Sequence, residues 1–133
     1  VSNDVERREN IMNRKKVILI VIAIIILIPI LFVTWFLYNL GWKRETIDKS
    51  DDGRFKYRIV VQEVGTPMYF GPSDVRIVFE HFWGKNIKVI NDVISNDGKT
   101  IDSSNVSVEW HEDYVDVTLY GEEQEPKVHR FEY

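Results

Sequence analysis

Two regimes of hydrophobic patterning divide the chain. From Val17 to Leu40 it runs 24 residues without a charge, VILIVIAIIILIPILFVTWFLYNL. As a helix that run is about 36 Å long, against a bilayer hydrocarbon core of about 30 Å. It has no polar face until Thr34 and Asn39, so it does not read as the amphipathic helix of a globular domain. In lipid the backbone must satisfy its own hydrogen bonds, which imposes helix on this β-branched run. A transmembrane α-helix is therefore predicted over residues 17–40. Pro29 in its middle predicts a kink, of a kind common in membrane helices.

Beyond residue 40 the period changes. Residues 41–53 are polar, show no hydrophobic period and read as a juxtamembrane linker. From residue 54 onward, short runs alternate apolar and polar positions between turn signals, the signature of half-buried strands. Phe55, Tyr57, Ile59 and Val61 share one face of a first run, and Val75, Ile77 and Phe79 share one face of a second. Ile87 to Ile94 is a third run, followed by Ser95-Asn96-Asp97-Gly98-Lys99, whose Asn and Gly tolerate positive φ. Val106, Val108 and Trp110 lead through a two-residue Glu112-Asp113 turn into Val115, Val117 and Leu119, a hairpin pattern. Gly121 to Pro126 reads as an acidic loop, and Val128 to Tyr133 as a last strand. About six strands with no helical period predict a small all-β domain over 54–133, an antiparallel β-sandwich or barrel-like sheet. Phe55, Tyr57, Phe79, Trp110 and Phe131 are its expected large core residues.

Charge sharpens the division. Residues 1–16 carry five basic against three acidic side chains, and residues 41–133 carry twelve against eighteen. The first stretch is a basic N-terminal tail. Its first eleven residues are expected to be disordered, and Met12 offers an alternative start. An acidic domain is a poor partner for nucleic acid, which needs a basic surface. The apolar run exceeds a cleavable signal core and no small-x-small site follows it, so residues 17–40 read as an uncleaved signal anchor in the lipid bilayer. Trp35, Tyr38, Trp42, Lys43 and Arg44 carry the aromatics and cations of a membrane interface. Basic residues favour the N-terminal side, which predicts a cytoplasmic N-terminus in the plasma membrane and an extracytoplasmic β-domain.

Cysteine is absent, which removes disulfides, thiolate metal sites and a Cys nucleophile. His81, His111 and His129 fall on different elements with no zinc-ligand spacing, and no GxSxG precedes a histidine partner. No catalytic, metal or cofactor residue is therefore assigned, and the domain reads as non-enzymatic. Met68, Tyr69 and Phe70 on a Gly/Pro-bounded loop, together with Trp83, are the candidate partner-binding loop, because exposed aromatics make interface hot spots. Another envelope protein or a secreted toxin, with the chain as its immunity factor, is the expected partner. The alternative is a membrane-embedded subunit whose helix works while the β-domain caps it.

The residues Ser95-Asn96-Asp97-Gly98, Val106-x-Val108-x-Trp110-x-x-Asp113-x-Val115 and Gly121-Glu122-Glu123-Gln124 resemble those of small Gram-positive (Firmicutes-type) single-pass membrane proteins with a C-terminal all-β domain of unknown function. The likeness covers residues 55–133. It implies the anchor-plus-β-domain fold and no activity.

Overall fold

A computed structural model describes residues 1–67 and 71–133. The chain divides into two compact units, Val1–Leu37 and Tyr38–Tyr133.

The first unit is one helix, α1 (Ser2–Leu37), with no buried residue. It is long and apolar enough to cross a membrane. One expectation changes here. The tail expected to be disordered is helical from Ser2. Asp4 lies in the first turn and no Gly or Pro occurs before Pro29, so dipole and propensity both favour helix. Pro29 lies inside the helix, which continues through it to Leu37. One turn further on, the Thr34 hydroxyl donates to the Ile30 carbonyl at 2.8 Å.

The second unit opens with a π turn, Tyr38–Trp42, closed by Lys43 N–H donating to the Tyr38 carbonyl at 2.8 Å. Seven strands follow: β1 (Arg44–Asp51), β2 (Tyr57–Val64), β3 (Ser73–His81), β4 (Asn86–Ile94), β5 (Val106–Trp110), β6 (Tyr114–Gly121) and β7 (Gln124–Glu132). They form two antiparallel sheets, β1-β2-β3-β4 and β5-β6-β7. The fold is thus a sandwich, not a closed barrel.

The core lies between the sheets. Ile59, Val61, Val75, Ile77, Phe79 and Ile94 come from one inner face, and Val106, Val115, Val117, Leu119 and Phe131 from the other. Each such side chain contributes about 1.5–3 kcal/mol on burial. The alternation predicted for Ile59 and Val61, for Val75 to Phe79, and for Val115 to Leu119 is the observed one. The Glu112-Asp113 turn is also as predicted, since Trp110 pairs with Val115.

Three boundaries differ. The segment read as a linker is largely strand β1, in register with β2 from Arg44↔Val64 to Asp51↔Arg58 around a bulge between Thr46 and Asp48. Its polarity misled because it is an edge strand, where charges guard against aberrant pairing, and because Ile47 alone packs on the core. The acidic loop shrinks to a two-residue turn: Gly121 pairs with Gln124, and β7 already includes Glu125 and Pro126. Phe55 is not a core residue. It lies in the β1–β2 turn with φ 57° and is 68% exposed.

Side chains link the two sheets along their edges. At one side Trp110 of β5 donates Nε1–H to the Ser50 hydroxyl of β1 at 2.9 Å. At the other, Asp92 of β4 meets Lys127 and His129 of β7 at 3.0 and 2.7 Å.

Candidate functional site

Strand direction sorts the turns of the sandwich onto two ends. Residues 38–44, residues 65–67 after β2, the loop after β4 and the β6–β7 turn share one end. The β1–β2, β3–β4 and β5–β6 turns share the other, about 26 Å away along an eight-residue strand. Both ends carry exposed rings, Tyr38 and Trp42 at the first and Phe55 and Trp83 at the far tip.

The β1–β2 turn is organised by Asp52. Its carboxylate accepts the N–H of Arg54 at 2.9 Å, of Lys56 at 3.3 Å and of Tyr57 at 3.2 Å. These bonds hold Phe55 in the left-handed region, which a bulky side chain rarely adopts. The β3–β4 turn is closed by His81 N–H to the Lys85 carbonyl and Gly84 N–H to the His81 carbonyl, both 2.8 Å. Gly84 takes φ 98°, a conformation open only to glycine. The two turns are tied together by Phe82 N–H donating to the Lys56 carbonyl at 2.9 Å.

Two tiers of stacked groups result. In one, Trp83 lies parallel to His81 with centroids 4.8 Å apart, and His81 lies on Tyr57 at 5.7 Å. In the other, the Arg58 guanidinium sits 4.5 Å over the Phe82 ring, which meets Phe55 edge-on at 5.1 Å. Arg58 is itself fixed by Asp51 at 2.8 Å and Glu80 at 3.8 Å. Tyr57 joins the first tier to the core through Phe79 at 5.3 Å and to Tyr133, just beyond β7, at 4.8 Å. Trp83 and Phe55 are nevertheless 74% and 68% exposed.

Two concavities flank these rings. A notch of about 210 Å³ lies among Phe55, Lys56, Tyr57, His81 and Trp83. A larger cleft of about 560 Å³ is lined by Asp52, Arg54, Lys56, Tyr57, Trp110, His111, Glu112 and Tyr133. Burial pushes the Tyr133 hydroxyl above the usual phenol range, and the Asp52 charge adds to this. It is a neutral donor to the His111 carbonyl. The cleft therefore offers hydrogen-bond donors, acceptors and charges of both signs around aromatic walls, the equipment of a recognition surface.

Trp83 belongs to the tip. Met68, Tyr69 and Phe70 lie outside the described residues. Their flanks Thr66, Pro67 and Pro72 line a small cavity with Leu40 at the opposite end of β3. Of the interface residues, Trp35 is in α1, Tyr38 and Trp42 are in the π turn, and Arg44 begins β1. Lys43 pairs with Glu45 at 3.7 Å.

Sequence reading missed Phe55, Phe82, Asp52 and Arg58 as parts of the tip. A signal was present in Asp52-Gly53-Arg54-Phe55-Lys56, because an Asx-Gly turn leaves a following aromatic outside the strand alternation. His129 faces inward against Asp92. Asp92 is engaged by Lys127 and His129, and Asp102 by Ser104. No cluster of three or more metal-ligating side chains occurs among the described residues.

Compared with known proteins, the chain matches no family model, no curated protein and no solved structure. The class defined by the fold is a long apolar helix followed, among the described residues, by a seven-stranded β-sandwich.

Proposed function

We propose that this chain is a membrane-tethered, non-enzymatic binding module. In this reading α1 crosses the plasma membrane with its N-terminus in the cytoplasm. The β-sandwich stands outside and binds an envelope protein or an incoming toxin at its tip. One observation carries the reading: Phe55 and Trp83 are exposed yet each packs against a neighbouring ring, at the end of the sandwich opposite residues 38–44. Single exposed apolar residues are ordinary. A Phe kept in a left-handed backbone, beside a Trp stacked flat on His81, uses conformational energy to present rings to solvent. Pre-ordered aromatics lose little entropy on binding, the property of interface hot spots.

The test is photocrosslinking in living cells from benzoylphenylalanine placed at position 83, with position 128 as control. Val128 is 58% exposed on β7. Crosslinks to another protein from 83 and not from 128 are expected, and they should survive replacement of residues 17–37 by an unrelated anchor. Equal crosslinking from both positions, or none from 83, removes the tip from the function.

A further inference from the structure

We infer that the notch between Phe55 and Trp83 receives one apolar or aromatic side chain of an acidic protein segment, whose carboxylates are met by Arg54, Lys56 and Lys85. The inference rests on the tip being the binding face and names the chemistry of its partner.

Size comes first. At about 210 Å³ the notch is below the roughly 300–1,000 Å³ of small-molecule pockets. It suits one inserted side chain, the way anchor residues fill pockets in protein interfaces. Its walls are two exposed rings, and its floor is Tyr57 and His81, whose positions are fixed by stacking on Phe79 and Trp83.

Charge selects the partner. The domain carries twelve basic against eighteen acidic residues, yet the tip of the four-stranded sheet is basic. Its acidic groups are occupied. Asp51 and Glu80 hold Arg58, and Asp52 accepts three backbone N–H groups. Lys56 lines the notch, and Arg54 and Lys85 lie in the two turns that carry its rings; all three are exposed and form none of the salt bridges found among the described residues. Cations beside a hydrophobic notch complement a segment with an apolar residue between carboxylates. A long polyanion fits less well. Glu112 and Asp113 occupy the β5–β6 turn on the same tip and would repel a polymer extending across it, whereas a short acidic segment is confined to the basic half.

The experiment uses the full chain in lipid nanodiscs, with the tryptophan indoles ¹⁵N-labelled. The Trp83 signal is the one missing from the Trp83→Phe spectrum. The probes are synthetic peptides: a Phe flanked by Asp and Glu, the same Phe flanked by Lys, the acidic peptide with Ala for Phe, and linear polyphosphate. The acidic Phe peptide should shift Trp83 saturably. The Lys-flanked and Ala peptides should bind about tenfold more weakly or worse. Arg54→Glu with Lys56→Glu should weaken the acidic peptide about tenfold, and added salt should weaken it as well. Equal binding of the Lys-flanked peptide, or stronger binding of polyphosphate, overturns the acidic segment while leaving the tip a binding face. Silence at Trp83 with every probe overturns the inference outright, and the crosslinks from position 83 then decide whether the tip binds anything.

Discussion

The Nε2 atom of His129 lies 2.7 Å from a carboxylate oxygen of Asp92, although both side chains occupy core-facing positions of edge strands. Asp92 pairs with buried Val75, and His129 with buried Val117. Lys127, opposite buried Leu119, reaches the same carboxylate and the Val93 carbonyl at 3.0 Å each. Lys88, also on the inner side of β4, holds its ammonium 5.6 Å from the Phe131 ring. One side of the sandwich is thus closed by inward-pointing charges. Such charges deter edge-to-edge pairing, and here they are mutually satisfied: no buried side-chain polar atom among the described residues lacks a partner.

Removing the shared acceptor should therefore cost more than removing one donor. Asp92→Ala removes the carboxylate that His129 meets and leaves Lys127 only the Val93 carbonyl, and a loss of about 1–3 kcal/mol is expected. Lys127→Met leaves Asp92 bonded to His129 and to Val93 N–H, and should cost less. Denaturant unfolding of the full chain in nanodiscs, followed by tryptophan fluorescence, ranks the two. An Asp92→Ala chain as stable as the parent would show that the seam is ornamental.

The same carboxylate sets part of the acid response. Burial opposes its ionisation, but Val93 N–H, Lys127 and His129 outweigh burial and hold Asp92 below the usual Asp value of 3.8. A carboxylate depressed in the folded state contributes stability that is present above its unfolded pKa and is lost as pH falls through the folded one. Asp102, bonded to Ser104, and Asp116, bonded to Arg130, are lowered as well and act in the same direction. Stability should fall below about pH 4, and the decline should be shallower in Asp92→Asn. An identical acid limb in that variant would remove Asp92 from the account.

How far the fold was legible follows from what each residue faces. Strands with one buried face, such as Val75-x-Ile77-x-Phe79, announce themselves because alternation is burial. Edge strands do not. β1 buries little beyond Ile47, and β4 and β7 spend inward positions on Lys88, Asp92, Lys127 and His129, which sequence reading takes for solvent-facing charge. Ile101, buried in the loop after β4, and Asn105, whose amide donates to the Tyr120 carbonyl at 3.0 Å, were equally hidden. Their roles depend on contacts with strands distant in sequence. At the tip Trp83 was legible as an unplaced aromatic. Phe55 was not, because extending the alternation one residue too far put it in the core.

Gly65 gives a sharper test of backbone geometry. Its φ is 71°, and an added Cβ would fall 2.0 Å from the Leu40 carbonyl oxygen. Its N–H donates to the Lys43 carbonyl at 2.6 Å, fastening the π turn to the domain. Gly53 has a similar φ of 76° with nothing near its Cβ position. Gly53→Ala should cost about 1–2 kcal/mol from backbone conformation alone. Gly65→Ala should cost roughly 2–5 kcal/mol, the excess coming from the clash. Equal destabilisation of the two variants would show that the π turn yields without cost.

On the opposite side of the sandwich, the Trp110–Ser50 bond is the matching edge link. A double-mutant cycle with Trp110→Phe and Ser50→Ala should give a coupling of about 0.5–1.5 kcal/mol. Hydrogen exchange should report the loss mainly as faster opening of β1, because among the described residues β1 has only β2 as a sheet partner. A coupling near zero would leave β1 held by its ladder with β2 alone.

Orientation in the membrane decides which compartment can supply a partner, and the absence of cysteine makes it directly measurable. Lys99 is exposed, and its ammonium pairs with Glu122 at 2.7 Å on the surface. Such exposed pairs contribute little to stability, so Lys99→Cys provides a single thiol in an otherwise unaltered fold. It also lies at the end of the sandwich away from Phe55 and Trp83, where a partner bound at the tip cannot mask it. A membrane-impermeant maleimide should label this cysteine in intact cells as fully as in lysed ones, since Arg14, Lys15 and Lys16 favour an N-terminus held inside. Labelling only after lysis would place the sandwich in the cytoplasm. The acidic segment sought by the tip would then belong to a cytoplasmic protein, and an incoming toxin would no longer be within reach.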